Sequence, residues 1–451
     1  MSRSDRTLDQ RLSRTLGVAG FGTVVALIGY TVPVATLAST STALNAGPGA
    51  QAWILSSMSL GLAVALLPSG AVGDGHGRRR MFVAGSGLLA VASVLAALAS
   101  SPLVLVAGRI GQGLGAAAII SCSLGLIGHT FPAGPLRARA TGVWGACVGG
   151  GIAVGPLLAA ALDRWLGWRG AYWALAALAV LLGVLAQWLL TESRVETNRR
   201  ADLVGMVLLA AATGGVLAGL VELRTSGARP LPLGLLAGGV AFGVLFLVVE
   251  PRRAHPRLDL RLLRRPDFAG ATIGALATGT GVIATMSFLP TVLQHGMGHD
   301  VSYAALVLFA WSGTSVLTAL LARRIPARVT PRSQLGLGLL GVAVGQVMLV
   351  GLTLRSGLAG LLPGLLVAGA ASGVLNAALG RQAVASVPAG MAGVGSGANN
   401  TARYLGAAVG VTVVAVFAAH PDPAAMLAGW NHAMVATAGD RPARAAHRAP
   451  S

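Results

Sequence analysis

Gly70-Ala-Val-Gly73-Asp74-Gly-His-Gly77-Arg78-Arg79-Arg80 stands between two apolar runs, roughly 50–72 and 81–99. Each run is long enough to cross a bilayer as a helix, which takes about 20 apolar residues. The stretch therefore reads as a very short hairpin loop joining two membrane helices. Its arginines mark the cytoplasmic side, and its glycines allow a tight turn and close helix approach. Asp74 sits where the first helix ends. There it can face Arg78 or the terminus of a neighbouring helix.

Composition extends this reading to the whole chain. Of the 451 residues 54% are hydrophobic and only 10% charged, against about 25% charged in a soluble domain, and the mean hydropathy is +0.74. So little charge cannot cover a water-facing surface, and an all-α polytopic membrane protein follows. The net charge of +19 invites a nucleic-acid partner. However, the basic residues fall in short gaps between apolar runs and form no basic face or domain, so no nucleic acid is expected. Cys122 and Cys147 lie inside apolar runs and read as packed small residues. His295 and His299 have helical spacing but only Asp300 nearby, too little for a metal site. Without a nucleotide loop, a triad or a metal cluster, neither catalytic nor metal-binding residues are expected, and the chain is not read as an enzyme.

Apolar spans lie near 15–37, 50–72, 81–99, 102–128, 140–162, 170–190, 203–221, 231–249, 268–290, 302–322, 334–354, 357–380 and 392–419, which is about thirteen. They group into an N-terminal six-span bundle at 1–190, a two-span central insert at 191–266 with a basic cytoplasmic loop, and a C-terminal bundle with a basic tail at 267–451. With the N-terminus cytoplasmic, the inner segments hold most arginines, while the outer loops hold only Arg164, Arg169, Arg224, Arg229 and Arg355, the bias that sets orientation. After thirteen spans the tail should be outside, yet it carries Arg441, Arg444 and Arg448. The segment 424–439 reads as a truncated fourteenth span or as a short interfacial helix. In the loop 251–266, arginines alternate with Leu258, Leu260, Leu262 and Leu263. That pattern fits a plain charged connector or a segment lying on anionic lipid.

Weak internal echoes support repeated bundles. Leu105-Val-Ala-Gly108 recurs as Leu366-Val-Ala-Gly369, and Gly142-Val143 with Gly155 recurs as Gly393-Val394 with Gly406. Arg109 lies inside a span, where the insertion cost is roughly 2.5–3.5 kcal/mol; Gln112 follows on the same helical face and Gly113 beside it. Arg403 is the second embedded charge. Tyr30, Trp53, Trp144, Gln187, Met286, Asn376, Asn399, Asn400 and Arg403 are candidates for a greasy cavity. None of the 14 acids lies mid-span; Glu222, near the outer end of span seven, comes nearest.

These motifs resemble the major facilitator superfamily, and in particular its fourteen-span drug:proton antiporters. The stretch at 70–80 resembles the family's gate-latch loop, with Gly70, Asp74, Gly77, Arg78 and Arg79 in place. Arg109, Gln112, Gly113 and Gly115 match its fourth-helix motif, whose Arg faces the central cavity and is tied to proton movement. Gly151, Gly155 and Pro156 match its antiporter motif, a hinge that seals the path, with Ala159 and Ala160 where glycines are usual. Trp168-Arg169, Tyr172-Trp173 and the central pair of spans also resemble that branch. Two features depart from it: the first span lacks the branch's Asp at Ile28-Gly29-Tyr30-Thr31-Val32-Pro33, and Gly75 follows Asp74 where a basic residue is usual. The resemblance implies two pseudo-repeated helix bundles of the major facilitator type plus two extra central spans, in a bacterial inner membrane. It implies a monomer that contacts lipid and exports small amphipathic drugs or secondary metabolites. Transport would proceed by proton antiport with alternating access and no cofactor other than the proton. The missing embedded acid leaves two alternatives open: an exporter of neutral or anionic metabolites without proton coupling, and a transport-dead sensor or scaffold.

Overall fold

The computed structural model describes residues 3–194, 203–252, 260–325, 329–354, 356–418, 420 and 422–439. Arg199, Arg200, Asp202, Arg253, Arg257, Leu258, Arg328, Arg355 and the tail arginines lie outside the described residues. The helices are α1 (Arg3–Leu44), α2 (Pro48–His76), α3 (Arg78–Ala97), α4 (Pro102–Thr130), α5 (Pro135–Leu166), α6 (Trp168–Leu189), α7 (Leu203–Ser226), α8 (Pro230–Val249), α9 (Pro266–Gly296), α10 (Val301–Leu321), α11 (Pro331–Val347), α12 (Leu358–Ala385), α13 (Ala392–Ala418) and α14 (Pro423–Gly439). Pro48, Pro102, Pro135, Pro230, Pro266 and Pro331 each open a helix, where a missing N–H goes unnoticed. Ser101, Asp300 and Thr330 cap α4, α10 and α11 through their side-chain oxygens.

Twelve of these helices are long and apolar enough to cross a membrane. The other two, α11 and α14, have 17 residues each, about 26 Å of rise. The reading of 334–354 as one span is shortened, because α11 stops at Val347 and the chain turns. The segment 424–439, read as an unfinished span or an interfacial helix, is helical and packs on α11 and α13, and it is not among the twelve helices long enough to span. Trp430 is fully buried and donates from Nε1 to the Leu349 carbonyl at 3.2 Å. Asn431, whose polarity argued against a span, accepts the Gly351 N–H at 2.9 Å. Its polar side chain thus satisfies the turn that ends α11. In the basic loop, Leu262 is buried beside Phe246 and Phe268, and Leu263 is exposed.

Packing repeats along the chain. α1 pairs with α5, α2 with α4 and α3 with both α4 and α6; correspondingly, α9 pairs with α13, α10 with α12 and α11 with both α12 and α14. One apolar cluster is built from α1–α6 and another from α9–α14, with Val34 of α1 packed at its edge. The two groups meet where α2 packs on α13 and α5 on α10. α7 and α8 pair with each other, and α7 leans on α2 and α13. α8 turns Val240, Val244, Leu245 and Leu247 outward, an apolar face that suits lipid.

Small residues set the helix spacing. Where α2 crosses α4, a Cβ on Gly113 would run into the Met58 carbonyl, so the backbones touch as in small-residue membrane interfaces. Gly113→Val is expected to cost about 1–3 kcal/mol or more through overpacking. The readout is a lower melting midpoint and less monodisperse protein in detergent. Gly87→Ala, which enters open space, should leave both unchanged. Equal behaviour of the two variants would refute the close-contact argument.

Candidate transport path

The stretch at 70–80 is not a loop. Helix α2 runs through His76 and α3 resumes at Arg78, so Gly77 is the whole connection. Its φ of 125° lies where side chains are strained, and a Cβ there would meet the Glu192 carboxylate at 2.8 Å. Glu192, which sequence reasoning missed, accepts the Arg79 and Arg80 N–H groups at 3.1 and 3.3 Å. It caps the positive end of α3. Its distance in sequence from Gly77 hid the pairing.

Asp74 and Arg78 form a buried pair at 2.7 Å, with side chains 8% and 1% exposed. Asp74 meets both partners its position allowed. Oδ1 also accepts the Gly393 N–H at 3.1 Å, and Oδ2 accepts the Val394 N–H at 3.0 Å, at the N-terminus of α13. Arg78 Nη2 donates to the Gly390 carbonyl at 2.7 Å. The pair thus bolts α2 and α3 to the α12–α13 turn. Gly70 touches the backbone of Gly393, so the helices meet without side chains between them. Arg79 is part-exposed and Arg80 largely so, each at salt-bridge range from Glu192. Exposed pairs of this kind contribute little.

Arg109 is fully buried. Nε donates to the Ile54 carbonyl at 3.0 Å, Nη2 to the Tyr30 carbonyl at 3.2 Å, and Nη1 to the Gly29 carbonyl at 2.8 Å and to Gln112 Oε1 at 3.1 Å. Gln112 Nε2 donates to Ser93 Oγ at 3.1 Å, which brings in α3. Pro33 lies four residues after Gly29 inside α1. Lacking an N–H, it leaves the Gly29 carbonyl without a helical donor, and Arg109 supplies one. The expectation that Arg109 lines the cavity is corrected: backbone carbonyls on α1 and α2 draw its fork in between the helices. It touches the path only through Tyr30, whose backbone it holds.

The cavity lies between the two groups of helices and has an empty volume of about 950 Å³, including space open to solvent. Tyr30, Trp144, Pro156, Met286, Asn376, Asn400 and Arg403 line it, as do the unanticipated Trp311, Ser312 and Tyr404. Tyr30 and Tyr404 meet edge to face across it, centroids 5.6 Å apart. Three candidates are elsewhere. Trp53 donates from Nε1 to Glu222 Oε1 at 2.6 Å, tying α2 to α7. Asn399 donates to the Ala271 carbonyl at 3.1 Å, on the side of α13 toward α9. Gln187 is exposed on α6. Each is polar within a span, and sequence alone does not say which face of its helix meets the cavity. Gly151 and Gly155 face Leu27 and Thr31 of α1, which brings α5 close beside the cavity. Arg169 donates to the Ala97 and Ala99 carbonyls at 3.1 and 2.9 Å, a cation at the C-terminal end of α3. His299 stacks on Tyr303, and both cysteines are free.

The family profile described as Major Facilitator Superfamily matches residues 19–411. Multidrug resistance protein Stp of Mycobacterium tuberculosis (strain CDC 1551 / Oshkosh) is 30% identical over 403 residues, which is 89% of this chain and 74% of that protein. The probable actinorhodin transporter of Streptomyces coelicolor (strain ATCC BAA-471 / A3(2) / M145) is 34% identical over 375 residues, covering 80% of this chain and 64% of its own length. A solved structure of the proton:xylose symporter XylE superposes with a TM-score of 0.69 over 95% of each chain at 15% identity, a likeness of fold.

Proposed function

This chain belongs to the major facilitator superfamily, and we propose that it exports small amphipathic compounds, drugs or secondary metabolites, from a bacterial cell by alternating access coupled to protons. It is a multi-pass membrane transporter and not an enzyme. The observation that carries the proposal is a mainly apolar cavity between the two helix groups, with a buried charge latch joining those groups. In this reading the latch end is cytoplasmic and the chain works as a monomer. Asp74 and Arg78 hold the inner gate shut while the cavity discharges outward. Gly151, Gly155 and Pro156 let α5 slide on α1. Arg109 keeps α1, α2 and α4 moving as one body.

Among the described residues no Asp or Glu lines the cavity, so the proton needs a carrier elsewhere. Asp74 supplies one. A proton there removes the negative charge that Arg78 and two α13 N–H groups hold, which loosens the gate. The test is transport by purified protein in liposomes with an imposed pH gradient and cationic, neutral and anionic amphipathic compounds. Gradient-driven movement of any compound is expected. No movement by protein shown to be folded would overturn the proposal.

A further inference from the structure

The cavity contains a charge that no described residue answers with a hydrogen bond to its Nε or Nη2. Arg403 lines it at 5% exposure, and its Nε and Nη2 have no hydrogen-bond partner among the described residues. Trp144 Nε1 and Ser312 Oγ, on the same cavity wall, are also unpartnered. The described residues of that wall include no other Arg and no Asp, Glu, Lys or His. Arg109 is the internal contrast: it is as deeply buried, yet it reaches four acceptors. Buried polar groups are almost always satisfied, and a buried cation without a counter-charge is costly. A guanidinium offers a planar fork that fits a carboxylate or sulfonate with two parallel hydrogen bonds. Around it Tyr30, Trp144, Trp311 and Met286 offer surface for an aromatic body.

We propose that the cavity binds organic anions: an apolar, aromatic body carrying one carboxylate, sulfonate or ionised phenol seated on Arg403, with Trp144 Nε1 and Ser312 Oγ as further donors. The inference rests on the exporter reading and narrows it to one charge class. It assigns Arg403 a substrate-binding role that neither the latch nor the Arg109 cluster fills.

The test compares three probes of one shape: pyrene-1-sulfonate, pyrene-1-carboxamide and a pyrenylmethyl-trimethylammonium salt. Binding is read by energy transfer from tryptophan in phosphatidylcholine nanodiscs, which carry no anionic lipid. The sulfonate is expected to bind about tenfold or more tightly than the other two. Arg403→Gln should erase that preference and leave the amide within about twofold, and Arg403→Lys, which keeps charge but not the fork, should keep part of it. If Arg403→Gln fails to fold, Arg403→Lys and the wild-type preference decide. Equal or tighter binding of the cation, or equal weakening of all three probes, would overturn the proposal. Repeating the measurement in phosphatidylglycerol discs separates a soluble anion from a lipid headgroup: loss of sulfonate binding there would assign Arg403 to lipid and overturn it too. Transport without charge preference would sink this inference and leave the exporter reading standing. No binding and no flux would remove both.

Discussion

Arg109→Gln is expected to lower stability by about 2–4 kcal/mol and abolish transport. Three hydrogen bonds that join α4 to α1 and α2 are lost or weakened, with a fourth to Gln112 inside α4. Interhelical hydrogen bonds in membranes average about 0.6 and reach about 1.7 kcal/mol, so three of them give a total of that order. Arg109→Lys should rescue little, because an ammonium cannot span carbonyls on two helices in the plane the guanidinium occupies. A double variant gives a sharper check. Pro33→Ala restores an N–H to bond the Gly29 carbonyl within α1, so Arg109→Gln should cost less in that background. Melting midpoints of the four proteins supply a double-mutant cycle. A cycle with no coupling would show that the carbonyl freed by Pro33 is not what Arg109 serves.

Asp74→Asn is expected to release the latch. Removing one partner from a buried ion pair costs about 3–5 kcal/mol, and it falls on the gate-closed conformation, where the pair meets α13. Labelling should report it: Ser69→Cys, buried on α2 beside the latch, should react with an impermeant maleimide about tenfold or more faster once Asp74 is Asn, in protein with Cys122 and Cys147 replaced by Ser. Net transport should fall because the gate no longer holds. The charge swap Asp74→Arg with Arg78→Asp should not restore function, since the N–H groups of Gly393 and Val394 need an acceptor at position 74. Restoration by the swap would mean that the pair acts only as a salt bridge and that the helix terminus is incidental.

Much of the site was legible because membrane insertion makes polarity conspicuous. A charge amid apolar residues announces itself, and Arg109 and Arg403 were visible for that reason; Asp74 and Arg78 were visible as a short charged stretch between two apolar runs. Their partners were not. Asp74 meets residues more than 300 positions away, and Glu192 reaches the start of α3 across more than 100. Trp53 and Asn399 were as eligible for the cavity as Trp144 and Asn400, since a span buried all round has no polar face to orient it. The role of Asn431 was hidden for a related reason: the Gly351 N–H that it accepts lies 80 positions away.

What the sequence determined alone is what depends on transfer from water to lipid. Length and apolarity of each run set the helices, since a backbone in hydrocarbon must bond to itself. Arginine bias sets the expected orientation, and glycine and proline mark where helices touch, start and bend. Tertiary structure alone decided which buried polar groups find partners. Arg109 and Arg403 are the same residue in similar surroundings by sequence. One is consumed by carbonyls of neighbouring helices, and the other faces a cavity with its Nε and Nη2 unpartnered among the described residues. That difference depends on helix rotation and on a proline in another helix, so no local reading of either segment contains it.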